Sequence, residues 1–246
     1  MKFKLNLLFL FVLFLFSLTG LFFRATLSFM VVVVHELAHS IAAKQLGVEV
    51  REIELLPFGG VAKFRDLIEL DPQIEFKVAI AGPVINFILA AVAALLIRYQ
   101  VLSGEYMWFF LRLNIMMGMF NFIPAFPLDG GRILRAKLTS RMGFKDATTW
   151  VLQWSKLIAV VLAVISIVGI YYGYINIMIV IISFFIYFVA VKEGRFSHYA
   201  LMQYLAKKRG LILDRGIIDA KQLVALSNTP LKEVLDKLVP RSFHTI

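Results

Sequence analysis

Apolar residues in this chain run in long unbroken blocks, not in the stripe of a water-facing helix or the alternation of a half-buried strand. Six blocks stand out, near Leu5–Gly20, Ala25–Ala43, Val78–Ile97, Met107–Ala125, Val151–Ile170 and Tyr174–Val191. A helix needs about 20 residues to cross the hydrocarbon core of a bilayer, so each block predicts one transmembrane helix. Between the second and third blocks the pattern changes. Val48–Gly60 alternates apolar and charged residues in its first half and then meets Pro57, Gly59 and Gly60. That predicts a strand turning back into a second short strand at Val61–Phe64. The expected fold class is an all-α polytopic membrane protein of six transmembrane helices, with a short β-hairpin and a small cytosolic C-terminal segment. Lys2 and Lys4 precede the first block, but no A-x-A cleavage site follows it, so a retained span is expected rather than a signal peptide.

Composition narrows the class further. Of 246 residues, 60% are hydrophobic and 17% charged, too little polar surface for a soluble domain of this length. The absence of cysteine excludes disulfides, thiolate metal sites and cysteine nucleophiles, which leaves His, Asp and Glu to hold any metal. The net charge of +10 does not read as nucleic-acid binding, because its distribution follows the membrane pattern. Lys44, Arg51, Lys63, Arg65 and Lys77 lie between spans two and three. Arg132, Arg135, Lys137, Arg141 and Lys145 lie between spans four and five, and Lys192, Arg195, Lys207, Lys208 and Arg209 follow span six. The alternate loops hold only Arg24 and Arg98. Cytosolic loops carry the excess of Lys and Arg, so both termini are expected in the cytosol.

The candidate chemistry is concentrated at His35-Glu36-Leu37-Ala38-His39. Residues four apart share a helix face, so both imidazoles can reach one ion while Glu36 lies beside it. Zinc binds imidazole well, and a catalytic site keeps one position for water, whose proton Glu36 would accept. A chance cluster is the bland alternative. It fares poorly in a span with no other ionisable group, since each such group costs at least ~2.5 kcal/mol to insert. A third ligand is needed, and topology selects Asp129. His39 lies roughly 7 Å and His35 roughly 14 Å inside the cytosolic end of span two, and Asp129 approaches from that side. Pro124 and Pro127 would unwind the helix there and free backbone to line a polar cavity. Alone, Asp129-Gly130 would read as a turn. Asn86 and Asn121 have two readings each: helix packing, or contact with a substrate backbone or oxyanion.

Four motifs in order resemble the site-2 protease family of intramembrane metalloproteases, over roughly residues 25–195. They are His-Glu-Leu-Ala-His, Leu-Leu-Pro-Phe-Gly-Gly at 55–60, Ala-Gly-Pro-Val-Ile-Asn at 81–86, and Asn121 through Pro124 and Pro127-Leu128-Asp129-Gly130-Gly131-Arg132. The resemblance implies a zinc metalloendopeptidase with one Zn2+ per chain, held by His35, His39 and Asp129, with Glu36 as catalytic acid/base. It suggests Asn121 and Pro127 near the site, and Asn86 is grouped with them as a substrate contact. It also makes the hairpin a membrane-associated segment, with Pro57, Phe58 and Gly59 receiving an extended substrate. The implied partners are the lipid bilayer, a membrane-associated protein substrate and inhibitory membrane proteins.

On this basis residues 1–195 form the transmembrane metalloprotease domain, and 196–246 a cytosolic linker with a partial CBS-like segment around Thr229–Leu235. The chain stops at Ile246, short of a CBS module, so nucleotide binding is not expected. The outward loop at 99–106 is too short for a PDZ domain, as in the six-span branch. Within that branch the likeness is to sporulation proteases, implying release of a transcription factor such as pro-sigma-K at the mother-cell-derived membrane around the forespore. The alternatives are a general site-2 protease acting on another membrane substrate such as an anti-sigma factor, and a metal transporter. Spans five and six lack the carboxylates and histidines a transporter path would need.

Overall fold

The structure, a computed structural model, describes residues 2–5, 15–48, 50–56, 59–64, 71–173, 177–193, 220–222 and 243–245. In chain order these form β1 (Lys2–Leu5), α1 (Phe22–Gln45), β2 (Val50–Leu56), β3 (Gly59–Phe64), α2 (Pro72–Arg98), α3 (Glu105–Asn121), α4 (Asp129–Met142), α5 (Phe144–Tyr171), α6 (178–193), β4 (Ala220–Gln222) and β5 (Phe243–Thr245). The fold is mostly helical. Helices α1, α2 and α5, of 24, 27 and 28 residues, are each long and apolar enough to cross a membrane. The expected first span and the tip of the hairpin, with Pro57 and Phe58, lie wholly or largely outside the described residues, as do the linker and most of the C-terminal segment.

The burial pattern shows which solvent these helices are built for. On α2, Ile88, Val92 and Leu95 are exposed, and on α5 so are Leu157, Val160, Val161, Val164 and Val168. Buried positions on the same or neighbouring helices hold Asn86, Asn114, Ser155, Ser166 and Ser183. Apolar surface faces outward and hydrogen-bonding groups face inward, the arrangement that lipid requires and water penalises.

The chain divides into two compact units. The first comprises residues 1–68 and 77–123. Its sheet has the order β1-β2-β3, with β1 parallel to β2 and β3 antiparallel to it in the register Ile53–Ala62 and Leu55–Gly60. Its helices α1, α2 and α3 meet through side chains. Arg24 of α1 pairs with Glu105 at the start of α3, and Gly118 of α3 leaves room for the Phe87 ring of α2, which a Cβ at that position would approach to 3.0 Å.

The second unit comprises residues 69–76 and 124–246. Phe126, Val151, Leu152 and Ala190 form its apolar cluster, with Leu134 and Leu138 packed against it. The expected fourth span was drawn to Ala125, but α3 ends at Asn121. Pro124 and Pro127 explain the difference, since neither supplies an N–H and each disfavours helix in the residue before it. The Phe126 N–H instead donates to Ser155 Oγ at 2.9 Å, and Leu128 N–H to Ala125 O at 2.9 Å. The basic segment after Asp129 is helix α4 rather than a loop, and α5 begins at Phe144, seven residues before the block that predicted it.

Candidate metal centre

Helix α1 carries His35, Glu36 and His39 within little more than one turn, and both imidazoles are buried. Their rings stand edge to face at 85°, with centroids 4.7 Å apart. His39 Nδ1 lies 2.7 Å from the Val78 carbonyl oxygen and His35 Nδ1 lies 2.5 Å from Asn86 Oδ1, both on α2. Carbonyl and amide oxygens only accept, so each Nδ1 carries the proton and donates it. In the neutral imidazole Nε2 is then the nitrogen that can ligate a metal. The two Nε2 atoms face each other at 3.1 Å.

Two imidazole nitrogens this close suit a shared cation. In a tetrahedral zinc site with Zn–N near 2.0–2.1 Å, ligand nitrogens stand about 3.3 Å apart, close to the observed separation. Backing a ligating histidine through its other nitrogen is the usual way a metal site sets ring orientation and tautomer. Gly82 leaves the rings their space: a Cβ there would come 2.6 Å from His35 Cε1 and closer still to the His39 ring.

Asp129 is buried and opens α4, where Gly131 N–H donates to Leu128 O at 3.0 Å. A Cβ on Gly131 would strike the Ala125 carbonyl carbon at 2.6 Å, so the missing side chain lets the 124–128 segment close against the first turn. A carboxylate there also suits the positive end of the helix dipole. His35 and His39 lie in the first unit and Asp129 in the second. Two imidazole nitrogens and a carboxylate oxygen are a donor set that zinc accepts.

The other residues singled out by sequence have less shared geometry. Glu36 is half-buried on α1 beside His35. Asn86 is fully buried, with Oδ1 on His35 and Nδ2 donating to Asn114 Oδ1 at 3.0 Å. Asn121 donates to its own helix at Met117 O, 3.1 Å away. Pro127 is half-buried, Gly59 opens β3, and Pro57 and Phe58 lie outside the described residues. Sequence reasoning passed over Asn114 and the Val78 carbonyl. Asn114 carried a signal, as a polar amide inside an apolar block. The carbonyl carried none, since every residue has one.

Two buried histidines on one apolar helix, with a buried aspartate elsewhere in the chain, define the class as a membrane protein with the donors for a metal. Its family follows from comparison with known proteins: the profile of Peptidase family M50 matches residues 23–104 and 99–162, and the chain belongs to that family. It is 36% identical over 172 residues to "Zinc metalloprotease MJ0392" of Methanocaldococcus jannaschii, covering 69% of this chain and 48% of that one. It is 36% identical over 115 residues to "Putative zinc metalloprotease Rip3" of Mycobacterium tuberculosis, covering 44% of this chain and 29% of that one. With "Stage IV sporulation protein FB" of Bacillus subtilis it shares 30% identity over 118 residues, covering 48% and 41%. The chain thus spans about half or less of the length of these curated relatives. Among solved structures it resembles "Site-2 Protease from Methanocaldococcus jannaschii", with TM-score 0.60 and 34% identity over 78% of this chain and 90% of that one.

Proposed function

We propose that the chain is an intramembrane zinc endopeptidase that cuts a membrane-associated protein near the cytosolic face. His35 and His39 through Nε2, and Asp129 through a carboxylate oxygen, hold one zinc. The observation that carries this reading is the pair of Nε2 atoms facing each other at 3.1 Å with both Nδ1 positions engaged by oxygens. Zinc, when bound, supplies a Lewis acid that acidifies water and polarises the scissile carbonyl. The Glu36 carboxylate accepts the water's proton and passes it to the departing amide nitrogen. Val78 O and Asn86 orient the two imidazoles and hold a proton on each Nδ1, so Asn86 supports His35 rather than binding substrate.

The proposed arrangement has six spans with cytosolic termini, read from the charge asymmetry of the loops, and would open the active centre to the inner side. Leu5–Gly20, α3 and α6 would supply the three spans beyond α1, α2 and α5. The β2–β3 hairpin is proposed as the membrane-associated segment that receives an unwound substrate, because strand edges recognise extended peptides through their backbone. Asn121, Pro127, Pro57, Phe58 and Gly59 would line that approach, and inhibitory membrane proteins would act there. The likeness to the Bacillus subtilis sporulation protein supports a transcription-factor precursor such as pro-sigma-K as the substrate, cleaved at the membrane around the forespore.

The test is Glu36→Gln in the full chain, purified in detergent and co-expressed with pro-sigma-K. Zinc content is expected to stay near one per chain while cleavage falls by at least 100-fold, the scale of a lost general base. Unchanged cleavage would remove Glu36 from its role. Cleavage of an anti-sigma factor with pro-sigma-K left intact would assign the chain to the general branch.

A further inference from the structure

We propose that Asn114, on α3, is a positioning residue of the metal centre, acting through Asn86 on the tautomer of His35. The inference rests on the reading of His35 as a zinc ligand and adds a residue that touches neither metal nor substrate. His35 binds the metal through Nε2 only if its proton resides on Nδ1, and Asn86 must therefore present its oxygen, not its NH2. Nothing local to Asn86 makes that choice, because the two ends of an amide are nearly the same size and shape.

Asn114 makes it. Its Nδ2 lies 2.9 Å from the Phe110 carbonyl oxygen, one turn back on α3. A backbone carbonyl only accepts, so Nδ2 must face it and Asn114 Oδ1 must face Asn86. That oxygen takes Asn86 Nδ2–H at 3.0 Å and turns Asn86 Oδ1 toward His35. The result is a one-way chain of donors: His35 Nδ1–H to Asn86, Asn86 to Asn114, Asn114 to Phe110 O. Every proton points away from the metal position. Both asparagines are fully buried, so no solvent competes for their polar atoms.

Reversing the Asn86 amide would set its NH2 against the His35 Nδ1–H and its oxygen against the Asn114 Oδ1, a donor facing a donor at one end and an acceptor facing an acceptor at the other. Without Asn114 that penalty falls away on one side. The flipped amide then donates to His35 Nδ1, moves the imidazole proton to Nε2 and blocks the ligating atom. Helix spacing is matched to the contact, since Gly118, one turn beyond Asn114, leaves α3 close enough to α2 for the two amides to meet.

The experiment uses the full chain in detergent with histidine 15N labelling and chelator-competition measurement of zinc affinity. In the metal-free wild type, His35 is expected as the Nδ1–H tautomer, its signals identified by their loss in His35→Gln. Asn114→Leu keeps the volume and removes the hydrogen bonds. It is expected to populate the Nε2–H tautomer and to weaken zinc binding by about 10- to 100-fold, the usual effect of removing an outer partner of a ligand. Asn114→Asp retains an acceptor for Asn86 and should stay within a few-fold of wild type. An Nε2–H His35 in the wild type, wild-type affinity in Asn114→Leu, or an Asn114→Asp as weak as Asn114→Leu would each overturn the proposal. If Asn114→Leu does not fold, the wild-type spectrum and Asn114→Asp decide. Failure of the wild type to bind zinc would instead reject the proposed function, and the tautomer measurement would still judge Asn114.

Discussion

At Gly82 the absence of a side chain is a requirement of the two imidazoles facing it. A methyl group there would overlap the His39 ring and press on His35 Cε1, and neither ring can yield while its Nδ1 is held by α2. Gly82→Ala is therefore expected to lower zinc affinity at least as much as the loss of an outer hydrogen-bond partner, about 10- to 100-fold. Metal analysis of purified protein after dialysis against a weak chelator checks this; full zinc retention would show that the rings have another place to go. The histidine pair itself was legible, because the i, i+4 relation is local to one helix. What backs each histidine was not. Val78 O and Asn114 acquire their roles only from how α1, α2 and α3 pack, and no spacing rule reaches across three helices.

At the scale of elements, the basic segment after Asp129 is helix α4 where charge asymmetry alone suggests a loop, and its arginines are not all in water. Arg135 is in fact fully buried. Its Nε donates to Glu75 Oε1 at 3.0 Å and Nη2 pairs with the same oxygen, while the guanidinium lies 4.9 Å from the Phe126 ring centroid and 5.3 Å from that of Phe144. The pair ties the first turn of α2 to α4, and the rings cover the charge from two sides. Removing one partner leaves the other charge buried and uncompensated, which costs about 3–5 kcal/mol, whereas replacing both with apolar residues is often near neutral. Arg135→Met should destabilise the protein by that amount, and Arg135→Met with Glu75→Leu should recover most of it. Chemical unfolding in one detergent checks the pair; equal losses in single and double variants would show that the ion pair itself stabilises the fold. A charge count along the sequence cannot separate an arginine held in water from one held by a carboxylate and two rings.

For the molecule as a whole, the outward faces decide the solvent. Val160 lies near the middle of α5 with about half its surface exposed, 51%, which in lipid means contact with acyl chains. Val160→Arg should therefore raise the insertion cost of that helix by about 2.5–3.5 kcal/mol, read as a lower inserted fraction in a translocon assay. Val151→Arg, at a fully buried position of the same helix, should insert with less penalty when placed nearer the helix end but disrupt packing instead. Equal insertion of wild type and Val160→Arg would remove that face from the bilayer.

The chain of residues alone determined the solvent, the helical class, the histidine pair and the carboxylate beside it, because each follows from composition or from periodicity within one element. Tertiary structure decided which nitrogen of each histidine is held by α2, what sets that choice and how Arg135 is neutralised. The physical reason is common to all three. Hydrogen-bond polarity and desolvation depend on the group that sits opposite, and that group is supplied by a different helix.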